Sequence, residues 1–559
     1  MLPSTADLPG ALVDWTEILG KDAVLSESEA ARCYGSSTAR LSRYIPAALV
    51  PANTEQVAGI VKVAAAHRVP IYPISTGRNW GYGDALPASD GSVILDLSQC
   101  RRIRAMDEEL GLITVEPGVT QGDVRQYLDD RHLPFMVPVT GAGPGCSLLG
   151  NALERGYSLT PNADHFLAAK ALKAVLPNGD LYQGALSEHG AVTVDRAFKW
   201  GIGPYVEGLF SQGGFGVVTE MTIALARVPE CMEAFYFWVD DDAGLEDAVF
   251  AAREALHACG GQLGGINLMN ARRVLSMSVP YPRDERHPSA AMSPEVVAKL
   301  TKDLKLSAWF GMGAVYGTRE VVAATRRRLK RTIGSRVRRL IFLRDATVEA
   351  AESAARYLPE SWFRGARTTL SRVRASMTLL AGRPNEVALP LSYWKAGVPA
   401  PAADLNPARD GCGLLWYAPL VPMKPKSVRT FVDLASQTCL EFGMEPLITL
   451  STLSDRCFDS TIPLLFDKSN ADEASRAEAC HQRLFERGRA EGFLPYRFGI
   501  QSMGQVLDDT MTCWRLGRTL KEAVDPHGII APGRYALMVD GETQHSPEAA
   551  AKAPSSRSD

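Results

Sequence analysis

The stretch Pro73-Ile74-Ser75-Thr76-Gly77-Arg78-Asn79-Trp80-Gly81-Tyr82-Gly83 is a glycine-rich loop that follows the short apolar run Val69–Tyr72. Glycines and small hydroxyl residues after a strand let successive backbone N–H groups turn toward an anion, because no Cβ blocks the approach. The spacing fits neither the dinucleotide-binding fingerprint nor a P-loop with its lysine. The loop alone therefore indicates either a diphosphate cradle or an ordinary surface turn.

The bulk composition favours a soluble globular protein that acts on small molecules. The chain has 559 residues, 46% of them apolar and 22% charged, which leaves room for about two to four domains. Its formal net charge of −3 gives no electrostatic reason to expect nucleic acid or an anionic membrane as partner.

The ten cysteines stand singly along the chain, without a CxxC pair or a Cys/His cluster of zinc spacing. This pattern predicts a reducing compartment and no metal site. The first residues lack a basic segment followed by an apolar core, and no apolar run reaches the length of a membrane span. We therefore predict a cytoplasmic protein that is not bound to a membrane.

Helix and strand patterns alternate in the first third of the chain. Asn53 or Thr54 can cap a helix whose apolar residues share one face, and a strand over Val69–Ser75 follows. Further strands are predicted at Ser92–Leu97 and Leu112–Glu116. The turn-forming residues Pro177–Asp180 predict a hairpin.

We place a domain boundary near Pro229, which ends the buried strand that begins at Val217. Residues 231–490 then alternate long helices with strands, as an α+β domain does. The next segment, 491–540, is expected to contain a strand and a helix over Trp514–Val524. Residues 541–559 are rich in Ser, Ala, Pro and charge and are predicted to be disordered.

A basic run, Arg326-Arg327-Arg328-Leu329-Lys330-Arg331, stands out in the second domain, with three further arginines close behind it. Its ordinary interpretation is a solvated helix face. The alternative is a docking patch for an acidic partner protein.

Several motifs occur together in one order and carry a family resemblance. They are Ile74–Gly83, Leu149-Gly150-Asn151-Ala152-Leu153-Glu154-Arg155-Gly156, Gly203–Gln212, Ser392-Tyr393-Trp394-Lys395, Pro495-Tyr496-Arg497 and Asp525–Arg534. In these motifs the chain closely resembles the vanillyl-alcohol oxidase and p-cresol methylhydroxylase family of flavoproteins. The resemblance runs from about Ala48 to Tyr535.

The resemblance implies an α+β flavoprotein of two domains. A discontinuous FAD-binding domain of the p-cresol methylhydroxylase type would comprise residues 30–230 and the returning segment 491–540. The inserted residues 231–490 would form a cap with an antiparallel sheet. The implied cofactor contacts are Pro73, Ile74, Ser75, Thr76, Gly77, Arg78, Asn79, Gly150, Asn151, Glu154, Gly156, Val218 and Arg534.

The resemblance also implies a catalytic set. Tyr82, Tyr496 and Arg497 match the family's trio that holds a phenol as phenolate, and Arg534 resembles the basic residue near flavin N1. The chemistry suits these residue types, because a phenol has a pKa of about 10 in water and needs a cation and hydroxyl donors to ionise near neutral pH. Taken singly, each residue is equally compatible with packing or surface charge.

The chain departs from the family where a catalytic aspartate should precede Cys146, since residues 137–145 contain no carboxylate. Thr140 and Cys146 are local candidates to replace it, or are structural. Leu414 stands at the position of the flavin-linking histidine and Asn79 at the linking position of other flavin oxidases. The FAD is therefore predicted to be non-covalent.

The predicted cap differs from the family as well. Thr449 stands where the family's oxidases tend to carry threonine, and the paired histidine of relatives is replaced near Ser454–Cys457. Asp455 or Arg456 would face the pocket and select a polar or carboxylated side chain, or would form an ion pair within the cap.

The main functional hypothesis is an FAD-dependent oxidase or dehydrogenase that takes a hydride from the benzylic carbon of a para-substituted phenol through a p-quinone methide. O2 or an electron carrier would accept the electrons, and relatives imply a homo-oligomer. The alternatives are a flavin enzyme acting on a non-phenolic hydroxy acid or alcohol, and a flavin-binding interaction protein without turnover.

Overall fold

The structure, a computed structural model, describes residues 6–283, 290–356 and 360–536. The predicted disordered tail, 541–559, and the end of the segment 491–540 lie outside these residues. The strands are β1 Val24–Leu25, β2 Ala48–Leu49, β3 Ile71–Ile74, β4 Val93–Asp96, β5 Ile103–Asp107, β6 Leu112–Val115, β7 Phe135–Met136, β8 Ala169–Val175, β9 Leu181–Gln183, β10 Val217–Ala224, β11 Ala226–Arg227, β12 Cys231–Val239, β13 Asn267–Asn270, β14 Trp309–Gly317, β15 Arg339–Leu343, β16 Cys412–Tyr417, β17 Leu420–Pro422, β18 Thr449–Thr452 and β19 Cys457–Asp467.

Helices connect and cover these strands. They are α1 Leu8–Leu19, α2 Glu27–Tyr34, α3 Thr54–His67, α4 Gln121–Asp130, α5 Leu148–Leu153, α6 His165–Ala168, α7 Ala185–Glu188, α8 Val192–Ala197, α9 Leu245–Ala258, α10 Ala271–Ser276, α11 Pro294–Asp303, α12 Arg319–Thr332, α13 Asp345–Arg356, α14 Glu360–Leu380, α15 Pro425–Glu441, α16 Ala471–Ala490 and α17 Thr512–Val524. The fold is therefore α+β, as predicted.

The first sheet presents the glycine-rich loop at the end of a short buried strand. Its order is β1-β2-β4-β3, with β3 parallel to β4. The preceding helix α3 is capped by Asn53, whose Oδ1 accepts from the N–H of Gln56 at 2.9 Å. Trp15 of α1 is buried and donates from Nε1 to the carbonyl of Ile60 at 3.1 Å. Residues before position 30, the predicted start of the domain, thus pack on this sheet as well.

A second sheet has the order β5-β6-β10-β8-β9. The predicted hairpin is present, because β8 and β9 pair in antiparallel fashion across the turn that contains Gly179. A glycine is required there because its φ is +86°. Strand β10 pairs with both β6 and β8, so Val218 lies in the middle of the sheet.

The last part of the chain returns to the first sheet. Ile71 of β3 donates to the carbonyl of Ile529 and accepts from the N–H of Ala531, both at 2.8 Å. The strand predicted in this segment is wrong for residues 491–536, where the structure has only isolated bridges, such as Ile71 with Ile530. The buried carboxylate of Asp525 instead holds a turn, because it accepts from the N–H groups of Ile529 and Ile530.

An eight-stranded sheet begins at β12, directly after the Pro229 region. Its order is β15-β12-β14-β13-β18-β19-β16, and β17 also pairs with β19. Every pair is antiparallel. We call it the cap sheet.

Register and alternation place six side chains in two rows on one face of the cap sheet. Neighbouring strands align Asn267 with Ser451 and Ser451 with Asp459. The next row aligns Met269 with Thr449 and Thr449 with Thr461.

The basic run lies on α12 and its neighbourhood, where several arginines pack on the cap sheet. Arg326 pairs with Glu233 at 3.1 Å and lies over the ring of Phe342. Arg339 lies over Trp238. Arg326 and Arg339 therefore pack against the sheet, while Arg327, Arg328, Lys330 and Arg331 are exposed. Both the solvated helix face and the docking patch stay predictions from the sequence. Within the described ranges, no helix is long and apolar enough to cross a bilayer.

Candidate active site

One cavity of about 510 Å³ is lined by every residue that the sequence predicted as a catalytic residue or a cofactor contact. Its volume is within the range of ligand pockets. The cavity is lined by the glycine-rich loop, α5, β10, the cap sheet and the returning segment. The predicted residues that line it are Pro73, Ile74, Ser75, Thr76, Gly77, Arg78, Asn79, Tyr82, Gly150, Asn151, Glu154, Gly156, Val218, Tyr496, Arg497 and Arg534.

The glycine-rich loop presents a run of free donors to the cavity. Within the described part of the chain, the backbone N–H groups of residues 75–80 donate to no other protein group. Gly77 has a φ of +64°, and a Cβ there would lie 3.1 Å from the Cβ of Ala85. A Cβ on Gly150 would lie 2.3 Å from Oγ of Ser75. Such a cradle of N–H groups and glycines fits a diphosphate.

The far end of the loop is locked to the returning segment and the cap. The carbonyl of Tyr82 accepts from the N–H of Ile500 at 3.1 Å. Gly81 and Gly83 have positive φ, and their faces are covered by Trp416 and Ile500, respectively. These contacts fix the Tyr82 side chain beside Arg497.

A carboxylate lies between two buried guanidinium groups. Oε2 of Glu154 lies 3.2 Å from Nε of Arg497, and Oε1 contacts Arg534. Burial opposes the charged form of Glu154, but Arg534 and Arg497 outweigh it and lower the pKa of this carboxyl. Arg534 also donates to the hydroxyl of Tyr72 at 3.0 Å. Glu154, Arg497 and Arg534 together carry a net positive charge.

Tyr82, Tyr496 and Arg497 form a compact polar end of the cavity. The Arg497 guanidinium lies 4.2 Å from the centroid of the Tyr82 ring, and its Nη2 donates to Oδ1 of Asn79. The Tyr496 ring meets Tyr157 edge-on at 5.9 Å. Burial raises the pKa of both Tyr82 and Tyr496, so both hydroxyls stay protonated near neutral pH. Neither hydroxyl bonds to another described side chain, so both are free to donate to a ligand.

Asp459 on β19 is a functional candidate that the sequence reasoning missed. Its side chain is buried in the cavity wall, and Oδ1 has no hydrogen-bond partner among the described residues. Burial raises the pKa of Asp459 to about 7, with Arg497 acting in the opposite direction. The alternating pattern of β19 could have indicated it, since Asp459 and Thr461 stand two residues apart on the pocket face.

Residues 137–145, where the sequence lacks the expected aspartate, form one wall of the cavity and contact other parts of the chain. The Thr140 hydroxyl accepts from Nε2 of Gln121 at 2.9 Å, and burial raises the pKa of the Cys146 thiol. Ala388 and Leu389 cover Gly141 and Gly143. Thr140 is therefore engaged in a structural bond, and this side of the cavity is largely apolar.

Leu414 lies in the cavity wall at the predicted linking position. It is buried on β16 beside Trp416, whose Nε1 donates to the carbonyl of Trp80 at 3.1 Å. The residues described as lining the cavity include no histidine.

The prediction that Asp455 or Arg456 faces the pocket is wrong. Arg456 is 85% exposed and pairs with Asp455, which also pairs with His257. Both residues lie in the turn between β18 and β19, outside the cavity, because the side chains that face inward come from the strands themselves. The expected ion pair within the cap is confirmed. Thr449 does line the cavity.

The chain is similar to known flavoproteins along most of its length. Residues 45–184 match the family model described as an FAD binding domain. The chain is 34% identical over 535 residues to 1'-carboxy-chondrochloren decarboxylase of Chondromyces crocatus, covering 95% of this chain and 98% of that protein. It is 28% identical over 546 residues to the flavoprotein subunit of 4-cresol dehydrogenase (hydroxylating) of Pseudomonas putida, covering 95% and 96%.

A solved structure gives the same result. The crystal structure of p-cresol methylhydroxylase with substrate bound matches with a TM-score of 0.84 and 26% identity, covering 97% of this chain and 100% of that one. FAD is therefore the cofactor, and the N–H cradle of the glycine-rich loop fits its diphosphate. The chain belongs to the vanillyl-alcohol oxidase and p-cresol methylhydroxylase family of FAD-dependent oxidoreductases.

Proposed function

We propose that this protein oxidises para-substituted phenols by removing a hydride from the benzylic carbon. The observation that carries the proposal is the buried cation of Arg497, which lies over the ring of Tyr82 and acts on Tyr496, two tyrosines whose hydroxyls are free to donate. A phenol oxygen at this point would meet one guanidinium and two O–H donors. This combination favours the phenolate.

The residues of the chain divide the work between the two ends of the phenol. Tyr82, Tyr496 and Arg497 hold the oxygen as an anion, which makes the para substituent electron-rich. FAD, when bound, supplies the ring system that accepts the hydride. Arg534 would place a fixed positive charge where the reduced cofactor becomes anionic, and Glu154 keeps both arginines in position.

Loss of the hydride converts the phenolate to a p-quinone methide. Water can then attack the benzylic carbon, which restores the aromatic phenolate and gives a 4-hydroxybenzylic alcohol. We assign Asp459, which acts on Arg497, Tyr82 and Tyr496, as the group that accepts the proton of the phenol hydroxyl at the start of this reaction sequence. A carboxylate with a pKa of about 7 suits a base that works near neutral pH.

The p-quinone methide could also lose CO2 instead of adding water. The name of one relative and the apolar wall at residues 137–145 support this second outcome. The relative from Chondromyces crocatus is named a decarboxylase of a carboxy compound. If the carbon next to the benzylic position bears a carboxylate, C–C cleavage releases CO2, and the freed electron pair refills the ring to give a 4-vinylphenolate. This step needs no added water, which suits a wall at residues 137–145 without a carboxylate.

The experiment mixes the oxidised protein anaerobically with 4-alkylphenols, 4-hydroxybenzyl alcohols and 3-(4-hydroxyphenyl)propionate. We expect flavin bleaching with phenols and none with their O-methyl ethers. Product analysis then separates hydroxylation from loss of CO2. Bleaching by 2-hydroxy acids or aliphatic alcohols but not by phenols would replace the phenol proposal with the non-phenolic alternative.

Several further properties stay predictions from the sequence. They are non-covalent FAD, O2 or an electron carrier as acceptor, a homo-oligomer and a cytoplasmic location. Absence of turnover with every donor, together with an intact flavin spectrum, would favour the alternative of a flavin-binding interaction protein.

A further inference from the structure

Arg273 is a further arginine of the cavity, besides Arg78, Arg497 and Arg534. It lies on α10, directly after the cap strand β13, and its side chain lines the cavity together with Met269, Leu389 and Leu391. It is half-buried.

The charge of Arg273 has no anionic partner among the side chains that the structure describes, those of residues 6–283, 290–353 and 370–536. The hydrogen bond of its side chain runs from Nη1 to the hydroxyl of Ser276, at 3.2 Å. Burial lowers the pKa of Arg273 to about 10, which still leaves it charged at neutral pH. The adjacent Arg272 is different, because it forms an ion pair with the buried carboxylate of Glu445. The cap thus compensates one arginine and leaves its neighbour directed to the cavity.

The position of Arg273 is set by the cap sheet. Asp459 lies at the phenol end, where Arg497 acts on its pKa. Strand β13 is separated from β19 by β18, so the two strands lie roughly 10 Å apart at the usual strand spacing. Arg273 follows the end of β13 by three residues. A long para substituent that extends from the phenol site along the cap sheet toward β13 would reach Arg273.

We propose that Arg273 binds a carboxylate at the far end of the substrate's para substituent. A guanidinium accepts a carboxylate through two parallel N–H···O bonds, and the pair is strengthened where water is excluded. Met269, Leu389 and Leu391, which line the same cavity, suit an apolar linker between the phenol ring and the acid. This inference rests on the proposed phenol oxidation for the identity of the other end of the ligand.

The test measures dissociation constants of the holoenzyme. They come from the concentration dependence of anaerobic flavin reduction for probes that reduce the flavin, and from flavin difference spectra for probes that do not. The probes are ω-(4-hydroxyphenyl)alkanoates from the acetate to the octanoate, each compared with its methyl ester. For wild type we expect the acid of the best-fitting length to bind about tenfold or more tightly than its ester, since a charge-assisted hydrogen bond contributes about 1.5–3 kcal/mol. In Arg273→Gln this ratio should fall to about one while the ester binds as before.

Two further variants separate the role of the charge from structural damage. Arg273→Lys should keep part of the preference for the acid, since it retains the charge but not the bidentate geometry. Arg327→Gln, which removes an exposed arginine of α12, should leave the ratio unchanged. An acid-to-ester ratio that is the same in Arg273→Gln and wild type would overturn the proposal, as would an equal weakening of acid and ester.

Failure of this inference can be told apart from failure of the phenol proposal. Phenols that bind and bleach the flavin without any Arg273-dependent acid preference would remove the carboxylate subsite alone. ω-Phenylalkanoates, which lack the phenol hydroxyl, test the opposite case. If they bind as tightly as the phenols and Arg273→Gln still weakens their binding, the carboxylate subsite is supported. The assignment of Tyr82, Tyr496 and Arg497 to a phenolate is then wrong.

Discussion

Nε of Arg497 lies 3.2 Å from Oε2 of Glu154, although the two residues are more than three hundred positions apart in the chain. The other oxygen of the same carboxylate contacts Arg534. Glu154 thereby links the cation proposed to hold the phenol with the cation proposed to face the reduced flavin. The carboxylate of Glu154 offsets the repulsion between the guanidinium groups of Arg497 and Arg534.

Glu154→Gln is expected to destabilise the protein, because it leaves two buried guanidinium groups without their shared counter-charge. Removing one partner of a buried ion pair costs about 3–5 kcal/mol. Urea unfolding of the apoprotein measures this loss. Glu188→Gln, at an exposed glutamate of α7, is the control and should change little. Equal stability of the two variants would show that Arg497 and Arg534 do not depend on Glu154.

Tyr82→Phe should lower kcat/KM for a phenol roughly tenfold to a hundredfold, since it removes one hydrogen bond to an anion and leaves the ring under Arg497. Steady-state kinetics and anaerobic flavin reduction measure the effect. Tyr44→Phe removes the hydroxyl of an exposed tyrosine and should have no effect. If both variants keep wild-type activity, the phenolate assignment of Tyr82 is wrong.

Asp459 should impose a pH dependence on turnover. Burial raises the pKa of Asp459 to about 7, and only the deprotonated form accepts a proton. Activity should therefore rise with pH through about 7, and Asp459→Asn should lose this limb of the profile.

The pH dependence of the free energy of unfolding tests the raised pKa of Asp459 independently. The folded pKa of Asp459 is higher than its ordinary value of 3.8, so the unfolded chain releases the proton first as pH rises. Wild type should then lose stability relative to Asp459→Asn as pH rises from about 4 to about 7. A stability difference that does not change with pH would contradict the raised pKa. Asp90→Asn, at a carboxylate outside the cavity lining, is the comparison.

Gly77→Ala should weaken FAD binding by about tenfold, since it adds both left-handed backbone strain and a Cβ within the loop. The comparison is Gly190→Ala, because Gly190 has a φ of +82° and open space around its Cβ position. Both variants bear the backbone cost, but only Gly77 lies in the cavity wall. Titration of the apoprotein with FAD measures the difference. Equal affinities would mean that the loop does not cradle the cofactor.

Acid precipitation should release all of the yellow flavin into the supernatant. Leu414 occupies the predicted linking position and offers no nucleophile, and the described lining contains no histidine. Absorbance of supernatant and pellet after precipitation checks this. A yellow pellet would place a covalent bond on another side chain of the cavity, and peptide mapping would identify that residue.

The local elements of this fold follow from sequence patterns. The cap of α3 at Asn53, the hairpin around Gly179 and the strands β4, β6 and β10 depend on neighbouring residues, and they agree with prediction. The strand expected after residue 491 fails, because the segment finds its partners through isolated bridges and the carboxylate of Asp525 rather than a ladder.

The sequence by itself determined the glycine-rich loop, the Tyr82, Tyr496 and Arg497 set, and the absence of a carboxylate before Cys146. Motif order carries this information, since glycine spacing and residue type are local properties. Only the tertiary structure decided that Asp459 and Arg273 line the cavity and that Asp455 and Arg456 do not. The reason is physical: the register of β13, β18 and β19 determines which face each side chain takes, and burial then sets its charge.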